Sequence, residues 1–207
     1  MKFSLKSRVI LASLSFTVLY FFTVQSQDIP FPESASSSIG DSTDFVIMGR
    51  VLTEDQKPVG KVKVILSNPV LQLERITSSD GTFSFYLDEA DTLFTLRAER
   101  NDNPRNGVST LDIIRLLKHL LGIEPLVSPY DIIAADANNS KSLSAIDLIE
   151  VRKLILGIYS EFPNNKSWRF VSKASSNSEI IKVTGSGTNY DFIGIKIGDL
   201  NNTVNPN

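Results

Sequence analysis

Oxygen-bearing side chains recur at alternate positions between residues 136 and 147. Counted from the first aspartate, positions 1, 3, 5, 7, 9 and 12 hold Asp136, Asn138, Ser140, Ser142, Ser144 and Asp147. Ca²⁺ takes about six to eight oxygen ligands, and a 12-residue loop of the EF-hand type supplies them at these positions. We therefore predict a calcium site here, with the carbonyl of Ser142 as one ligand, Ser144 acting through water and Asp147 bidentate. A solvated polar loop is the alternative.

A weaker copy of the pattern precedes it, since residues 106–122 align with residues 141–157. In the same register, positions 1, 3, 5, 7, 9 and 12 hold Asn101, Asn103, Arg105, Gly107, Ser109 and Asp112. Fewer anionic ligands give weaker calcium binding. Two interpretations stay open. Either Arg105 points away while Asp102 or a distant carboxylate completes the site, or the loop keeps its shape and has lost its ion.

The paired loop-helix segments end in Leu-Leu-Gly122 and Ile-Leu-Gly157, and they resemble the type I dockerin module over about residues 101–159. The resemblance implies two calcium sites in a small helical module. Such a module docks onto a cohesin or, in variants from large secreted bacterial proteins, onto an unidentified surface protein.

Two departures qualify this resemblance. Thr110-Leu111 and Ala145-Ile146 stand where dockerins of cellulose-degrading assemblies usually carry a Ser-Thr pair, which disfavours cohesin as the partner. Lys141 stands at position 6, where EF-hand loops favour glycine for a sharp turn.

A third segment, Gly198-Asp-Leu-Asn201, is similar to the opening of many dockerin loops, although no helical pattern follows it. One hypothesis is that Asp199 returns to the first loop and supplies the carboxylate that the loop lacks. A surface turn at a strand end is the alternative.

The N-terminal residues indicate export. Basic residues precede an apolar run over residues 9–24, and Ser26 ends a short small-residue stretch typical of a secretory cleavage site. We predict a signal peptide over residues 1–26 and a polar linker over residues 27–43, with a permanent membrane anchor as the alternative for the apolar run. No later segment is apolar enough to span a membrane, so we expect a secreted or cell-surface protein.

Composition excludes several functional classes. The formal net charge is −2 with mixed charges, and no basic stripe suits a nucleic-acid partner. The chain has no cysteine, so stability outside the cell must come from apolar cores and bound ions. Because no nucleophile-base pair or cofactor motif is present, we expect no enzyme activity.

Short β-rich runs occupy the region before the loops. They cover residues 45–52, 62–66, 82–86 and 93–97, with turns near residues 57–60 and 79–81. Their spacing predicts an antiparallel sandwich. Over residues 44–100 the chain resembles the carboxypeptidase regulatory-like fold, which implies a small immunoglobulin-like sandwich without catalytic residues.

Apolar residues at helical spacing follow each loop, and the two helices are expected to pack on each other. Residues 122–130 contain two prolines and are expected to be extended. Residues 162–171, 179–183 and 192–199 predict a turn and three strands, which pair with each other or with the sandwich.

The sequence thus predicts an α+β protein: an Ig-like β-sandwich (44–100), a duplicated calcium loop-helix module (101–160) and a β tail (161–207). The expected function is non-catalytic, calcium-dependent docking to an extracellular protein. The alternative is an accessory or spacer part of a larger polysaccharide-degrading enzyme or adhesin. In that case Trp168 and Phe170 would be a sugar-stacking platform, although a core anchor is the simpler role.

Overall fold

A computed structural model describes residues 45–87 and 93–207, which belong to one compact unit of mixed α and β structure. The predicted signal peptide (1–26) and linker (27–43) lie outside the described residues. Within the described ranges, no helix is long and apolar enough to cross a membrane.

The described residues form eight strands and three helices. In chain order they are β1 (Phe45–Leu52), β2 (Lys63–Ser67), β3 (Gln72–Ile76), β4 (Thr82–Leu87), β5 (Thr95–Glu99), α1 (Thr110–Leu120), α2 (Pro129–Ala135), α3 (Ala145–Ile155), β6 (Trp168–Ser172), β7 (Ile181–Lys182) and β8 (Phe192–Lys196).

The strands form two four-stranded sheets, ordered β4-β1-β8-β6 and β3-β2-β5-β7. All pairings are antiparallel except β1 with β8, which is parallel and aligns Val51 with Phe192. Each sheet therefore contains a strand from the segment after α3. The pairing left open by the sequence is settled in this respect: β8 pairs with β1, β6 pairs with β8, and β7 pairs with β5.

One apolar core lies between the two sheets. It takes Ile47 and Phe85 from the first sheet and Val64 and Leu96 from the second, all fully buried. Burying an aliphatic or aromatic side chain of this size stabilises the folded state by roughly 1.5–3 kcal/mol. This shared core holds the two sheets together.

The helices cover the other face of the first sheet. Leu116 of α1 and Ala134 of α2 pack in one buried cluster with Ile193 and Ile195 of β8. All five residues of β8 are consequently buried, because one face meets the core and the other meets the helices. The expected contact between α1 and α3 is present, and the helices pack on β8 in addition.

Two elements differ from the sequence-based expectation. Strand β3 was not predicted, because four of its five residues are polar or exposed and only Leu73 packs against the core. Helix α2 was not predicted either, and its first two residues belong to the stretch 122–130 that was expected to be extended. Ser128 caps its first turn by accepting a hydrogen bond from the backbone N–H of Tyr130, and Pro129 occupies the first helical position, where proline is well tolerated.

Candidate metal centre

The loop between α2 and α3 brings the predicted oxygen ligands together. Helix α2 ends at Asp136, and α3 begins after Ser144. Between them, Asn139 and Lys141 adopt φ angles of 58° and 66°, in the left-handed region. These two residues turn the chain sharply within the loop.

Asp136 organises the first half of this loop. Its Oδ1 accepts a hydrogen bond from the backbone N–H of Ser140 at 2.8 Å, and its Oδ2 accepts one from that of Lys141 at 2.8 Å. The side-chain oxygen of Asn138 also accepts from the N–H of Ser140, at 2.9 Å. Ser140 Oγ donates to the carbonyl of Ser142 at 3.0 Å, so the oxygens at positions 1, 3, 5 and 7 lie close together.

Asp147 organises the second half of this loop. Its Oδ1 accepts from the backbone N–H of Asn138 at 3.2 Å, and its Oδ2 accepts from the N–H of Ser144 at 2.9 Å. Ser144 in turn is the N-cap of α3 and forms a capping box with this carboxylate. We call the six residues the continuous cluster: Asp136, Asn138, Ser140, Ser142, Ser144 and Asp147.

The first loop is arranged differently from the sequence-based register. Asn101 accepts a hydrogen bond from the backbone N–H of Ser167, and the carbonyl of Asn103 accepts one from Lys196 Nζ at 2.8 Å. Arg105 is exposed. The side-chain oxygen of Asn101 and the carbonyl of Asn103 therefore have partners elsewhere, and among the described residues no hydrogen bond joins either residue to Asp112.

Asp112 instead meets the segment that follows β8. Its Oδ1 accepts hydrogen bonds from the backbone N–H groups of Leu200 and Asn201, at 2.7 and 3.1 Å. Its Oδ2 accepts from the N–H and hydroxyl of Ser109, at 2.7 and 2.8 Å, which completes the capping box of α1. Ser109 and Asp112 thus form the same hydrogen bonds with each other as Ser144 and Asp147 do.

Asp199 occupies the place of position 1. Its Oδ1 accepts from the backbone N–H of Thr203 at 3.1 Å, and its Oδ2 accepts from that of Val204 at 2.8 Å. The hydroxyl of Thr203 donates to the carbonyl of Gly107 at 3.0 Å. A second cluster with most of the same internal hydrogen bonds is thus assembled from two distant parts of the chain.

We call this second set the discontinuous cluster. The equivalent residues of the two clusters are Asp136 and Asp199, Asn138 and Asn201, Ser140 and Thr203, Ser142 and Gly107, Ser144 and Ser109, and Asp147 and Asp112. Asn139 and Asn202 are also equivalent, with φ angles of 58° and 56°.

The sequence-based reasoning identified Asp199 and missed Asn201 and Thr203. A signal for them exists, because Asp199-Leu-Asn-Asn-Thr203 matches Asp136-Ala-Asn-Asn-Ser140 at every oxygen-bearing position. Aligning these two pentapeptides, rather than the longer repeats alone, would have found them.

The four carboxylates of the two clusters are buried. Asp112, Asp136, Asp147 and Asp199 are only 1%, 4%, 0% and 3% exposed. Within residues 45–87 and 93–207, none of them forms an ion pair with a lysine, arginine or histidine. Burial raises the pKa of Asp199, and the nearby charge of Asp112 adds to that rise. A bound cation would compensate these charges.

The oxygen atoms of each cluster form a ligand set that suits a hard cation. Each cluster offers two carboxylates together with neutral amide, hydroxyl and carbonyl oxygens, which suit Ca²⁺ rather than a softer metal. No group of three or more His, Cys, Asp or Glu side chains that could hold a metal occurs in the described part of the chain. Any binding here must therefore use the neutral oxygens as well.

The repeated helices also expose matching apolar side chains. Leu111 and Ile146 are 60% and 56% exposed, and Ile114 and Ile149 are 48% and 46% exposed. Leu121 and Leu156, which cap the ends of α1 and α3, are likewise exposed. Residues 111, 114 and 121 share one side of α1 by helical spacing.

Trp168 is buried and is not a surface platform. Its ring stacks on Phe170 with centroids 6.2 Å apart, and the guanidinium of Arg100 lies 5.2 Å from its centroid. Both aromatic residues belong to the core between the sheets. The structure therefore favours the core-anchor interpretation.

A comparison of the chain with protein-family models finds no match, and comparisons with curated proteins and with solved structures likewise find none.

Proposed function

We propose that this chain is a secreted, non-catalytic module that binds Ca²⁺ in both clusters and uses the two repeated helices to dock onto an extracellular protein. The proposal includes an immunoglobulin-like arrangement of the two sheets and EF-hand-like loops at the starts of α1 and α3. The observation that carries it is the equivalence of the two clusters, oxygen by oxygen.

The structural support for calcium binding is the type and burial of the oxygen ligands in each cluster. Each cluster brings two buried carboxylates and several neutral oxygens into one hydrogen-bonded group, and in the described residues none of these carboxylates forms an ion pair with a lysine, arginine or histidine. Carboxylate repulsion in a buried setting is costly, and a divalent cation converts it into attraction. Since Asp112 and Asp147 also form the capping boxes of α1 and α3, an ion bound there would stabilise the start of each helix.

Calorimetric titration of CaCl₂ into the chelator-treated full chain tests this part. We expect two calcium ions per chain. The variants Asp136→Asn and Asp112→Asn, which keep side-chain size and remove one charge, should each lose one ion. Glu74→Gln on β3 is the matched control, because it removes an exposed carboxylate outside both clusters. Absence of heat from the unaltered chain, or unchanged stoichiometry in both cluster variants, would contradict calcium binding.

The support for docking is the exposed apolar surface of α1 and α3, which is repeated in both helices. Exposed apolar side chains grouped on a surface are typical of protein-binding sites. We expect the immobilised chain to capture an extracellular protein in CaCl₂ and to release it in EDTA.

The matched variants define the surface. The double variant Ile114→Lys/Ile149→Lys should abolish capture, whereas Ile76→Lys, at an exposed isoleucine on β3, should not. The captured protein is then purified and its binding to each variant is measured directly. Capture that survives both EDTA and the double variant would rule out docking through these helices.

A second candidate, binding of an acidic polysaccharide, is favoured by one groove. A groove of about 540 Å³ is lined by Arg97, Lys141, Lys166 and Arg169, with Glu99 and Glu179 as its acidic residues. Retention on polygalacturonate that is calcium-independent and lost in Lys166→Glu/Arg169→Glu would support it. Equal retention of the chain on a neutral glucan would not support it, because binding would then not depend on the charge of the polysaccharide.

A further inference from the structure

The discontinuous cluster differs from the continuous one in what it joins. The continuous cluster connects residues within one loop, whereas Asp112 and Asp199 belong to segments separated by α2, α3, β6, β7 and β8. An ion shared by two distant segments acts as a cross-link between them.

The segment after β8, residues 199–207, contains no helix and no strand. We call it the closing segment. Leu200 and Val204 are its buried apolar residues, and Val204 reaches the core between the sheets. Its backbone is held largely by side chains, because the N–H groups of Leu200 and Asn201 donate to Asp112 and those of Thr203 and Val204 donate to Asp199.

Beyond the cluster, the closing segment crosses to the second sheet. The carbonyl of Asn205 accepts a hydrogen bond from Asn106 at 2.7 Å, and that of Pro206 accepts one from the buried guanidinium of Arg100. The side chain of Asn207 accepts from the backbone N–H of Gly60 at 3.0 Å. The closing segment therefore spans from the start of α1 to the loop before β2.

We propose that the ion in the discontinuous cluster acts as a clasp, a proposal that rests on the calcium binding proposed above. The ion fastens the closing segment to α1, and loss of the ion releases residues 199–207. Without the ion, two buried carboxylates of like charge face each other across the junction. With it, both carboxylates bind one cation, and the junction closes.

The clasp makes the two clusters unequal in function. Loss of the ion from the continuous cluster loosens only residues 136–147 and the start of α3. Loss of the ion from the discontinuous cluster exposes Leu200 and Val204 and frees the carbonyl of Pro206 from Arg100. Calcium concentration therefore controls whether this part of the core is covered.

Hydrogen exchange of the full chain, followed by mass spectrometry, tests the clasp. At free calcium about 100 times the dissociation constant, a region that requires the ion gains about 100-fold in protection over its ion-free form. We expect peptides covering residues 136–147 and 199–207 each to show such a gain.

Single substitutions in each cluster distinguish the effects of the two ions. Asp199→Asn should leave residues 199–207 unprotected in calcium while residues 136–147 keep their calcium-dependent protection. Asp136→Asn should give the converse pattern. If Asp199→Asn fails to fold by near-ultraviolet circular dichroism, Thr203→Val replaces it, because valine keeps the shape and removes the oxygen.

The possible results discriminate between the two proposals. If residues 136–147 respond to calcium and residues 199–207 are equally protected with and without it, the clasp is wrong and calcium binding stands. Calcium-dependent protection of residues 199–207 that persists in the Asp199 or Thr203 variant also overturns the clasp. If neither region responds and calorimetry shows no binding, both proposals fail.

Discussion

The Oδ1 atom of Asp112 accepts a hydrogen bond from the backbone N–H of Asn201 at 3.1 Å, across 89 residues of sequence. Asp147 accepts the equivalent bond from Asn138 at 3.2 Å within a single loop. The same arrangement of oxygens is thus built once by a local turn and once by tertiary contact. A duplicated site in space does not require a duplicated loop in sequence.

Gly107 lies at a close approach between the two parts of the discontinuous cluster. Its φ is +81°, and a Cβ there would lie 2.7 Å from the backbone of Val204 and 2.8 Å from Asp199 Oδ2. We expect Gly107→Ala to lower the free energy of unfolding by about 3 kcal/mol, combining backbone strain with displacement of the facing chain. Urea unfolding in saturating calcium measures the loss.

Gly122→Ala is the control for the backbone conformation. Gly122 has a φ of +69° and nothing within 4 Å of the added atom, so only the strain of about 1 kcal/mol should remain. Equal losses for the two substitutions would contradict a close approach at Gly107.

Lys141 adopts a positive φ at the position where EF-hand loops favour glycine. We expect Lys141→Gly to relieve about 1 kcal/mol of strain in the calcium-bound loop and to tighten calcium binding by about fivefold. Lys141→Ala removes the same charge but keeps a Cβ, so it isolates the electrostatic part. Calorimetric affinities that are equal for the glycine and alanine variants would show that strain is absent.

The serine caps distinguish an ordinary helix start from one in a cluster. Ser128→Ala at α2 should cost about 1 kcal/mol in calcium and in EDTA alike, because this cap lies outside both clusters. Ser144→Ala should cost the same amount in EDTA and more in calcium, since Ser144 holds Asp147 in place. Chemical unfolding of both variants under the two conditions gives the comparison, and an identical calcium effect would argue against a role for Ser144 in ion binding.

Because Lys196 is buried, we expect the stability of the folded protein to depend on pH in a specific way. Burial lowers the pKa of its ammonium from 10.5 to about 8, although the charge of Asp102 partly opposes this shift. Between pH 8 and 10.5 the unfolded chain holds a proton that the folded chain has lost. This group therefore makes the protein more stable as the pH rises through that window, by up to about 3 kcal/mol.

Lys196→Met removes this contribution. Urea unfolding of both proteins from pH 7.5 to pH 10.5 should show stability rising with pH in the unaltered chain relative to the variant. Parallel pH profiles would mean that the Lys196 ammonium is not destabilised by its surroundings. Since tyrosines titrate equally in both chains, they cancel in the comparison.

The sequence was sufficient to predict an element where the residues that define it lie within one short segment. The alternating apolar residues of β1 predicted its bounds of 45–52, and the apolar residues after each loop predicted α1 and α3. The residues spaced from Asp136 to Asp147 are joined by hydrogen bonds within one loop, so their proximity could be expected from local sequence.

The sequence was insufficient where tertiary contact decides. The edge strand β3 has little apolar pattern, and α2 has only seven residues, so burial against β8 rather than periodicity fixes its conformation. In the first loop, Asn101 and Asn103 had suitable spacing for positions 1 and 3. Tertiary contact instead places the backbone N–H groups of Leu200 and Asn201 against Asp112, which no local spacing in the first loop could indicate.

The placement of β8 between β1 and β6 determines the order in which the protein can fold. Strand β1 leaves the ribosome early, yet its parallel neighbour is complete only when residue 196 has been added. Contacts of such long sequence separation form slowly, and unpaired strand edges are prone to aggregate while they wait. The edge of β1 that β8 covers therefore stays unpaired until residue 196 has been added, whereas its opposite edge can pair with β4 much earlier.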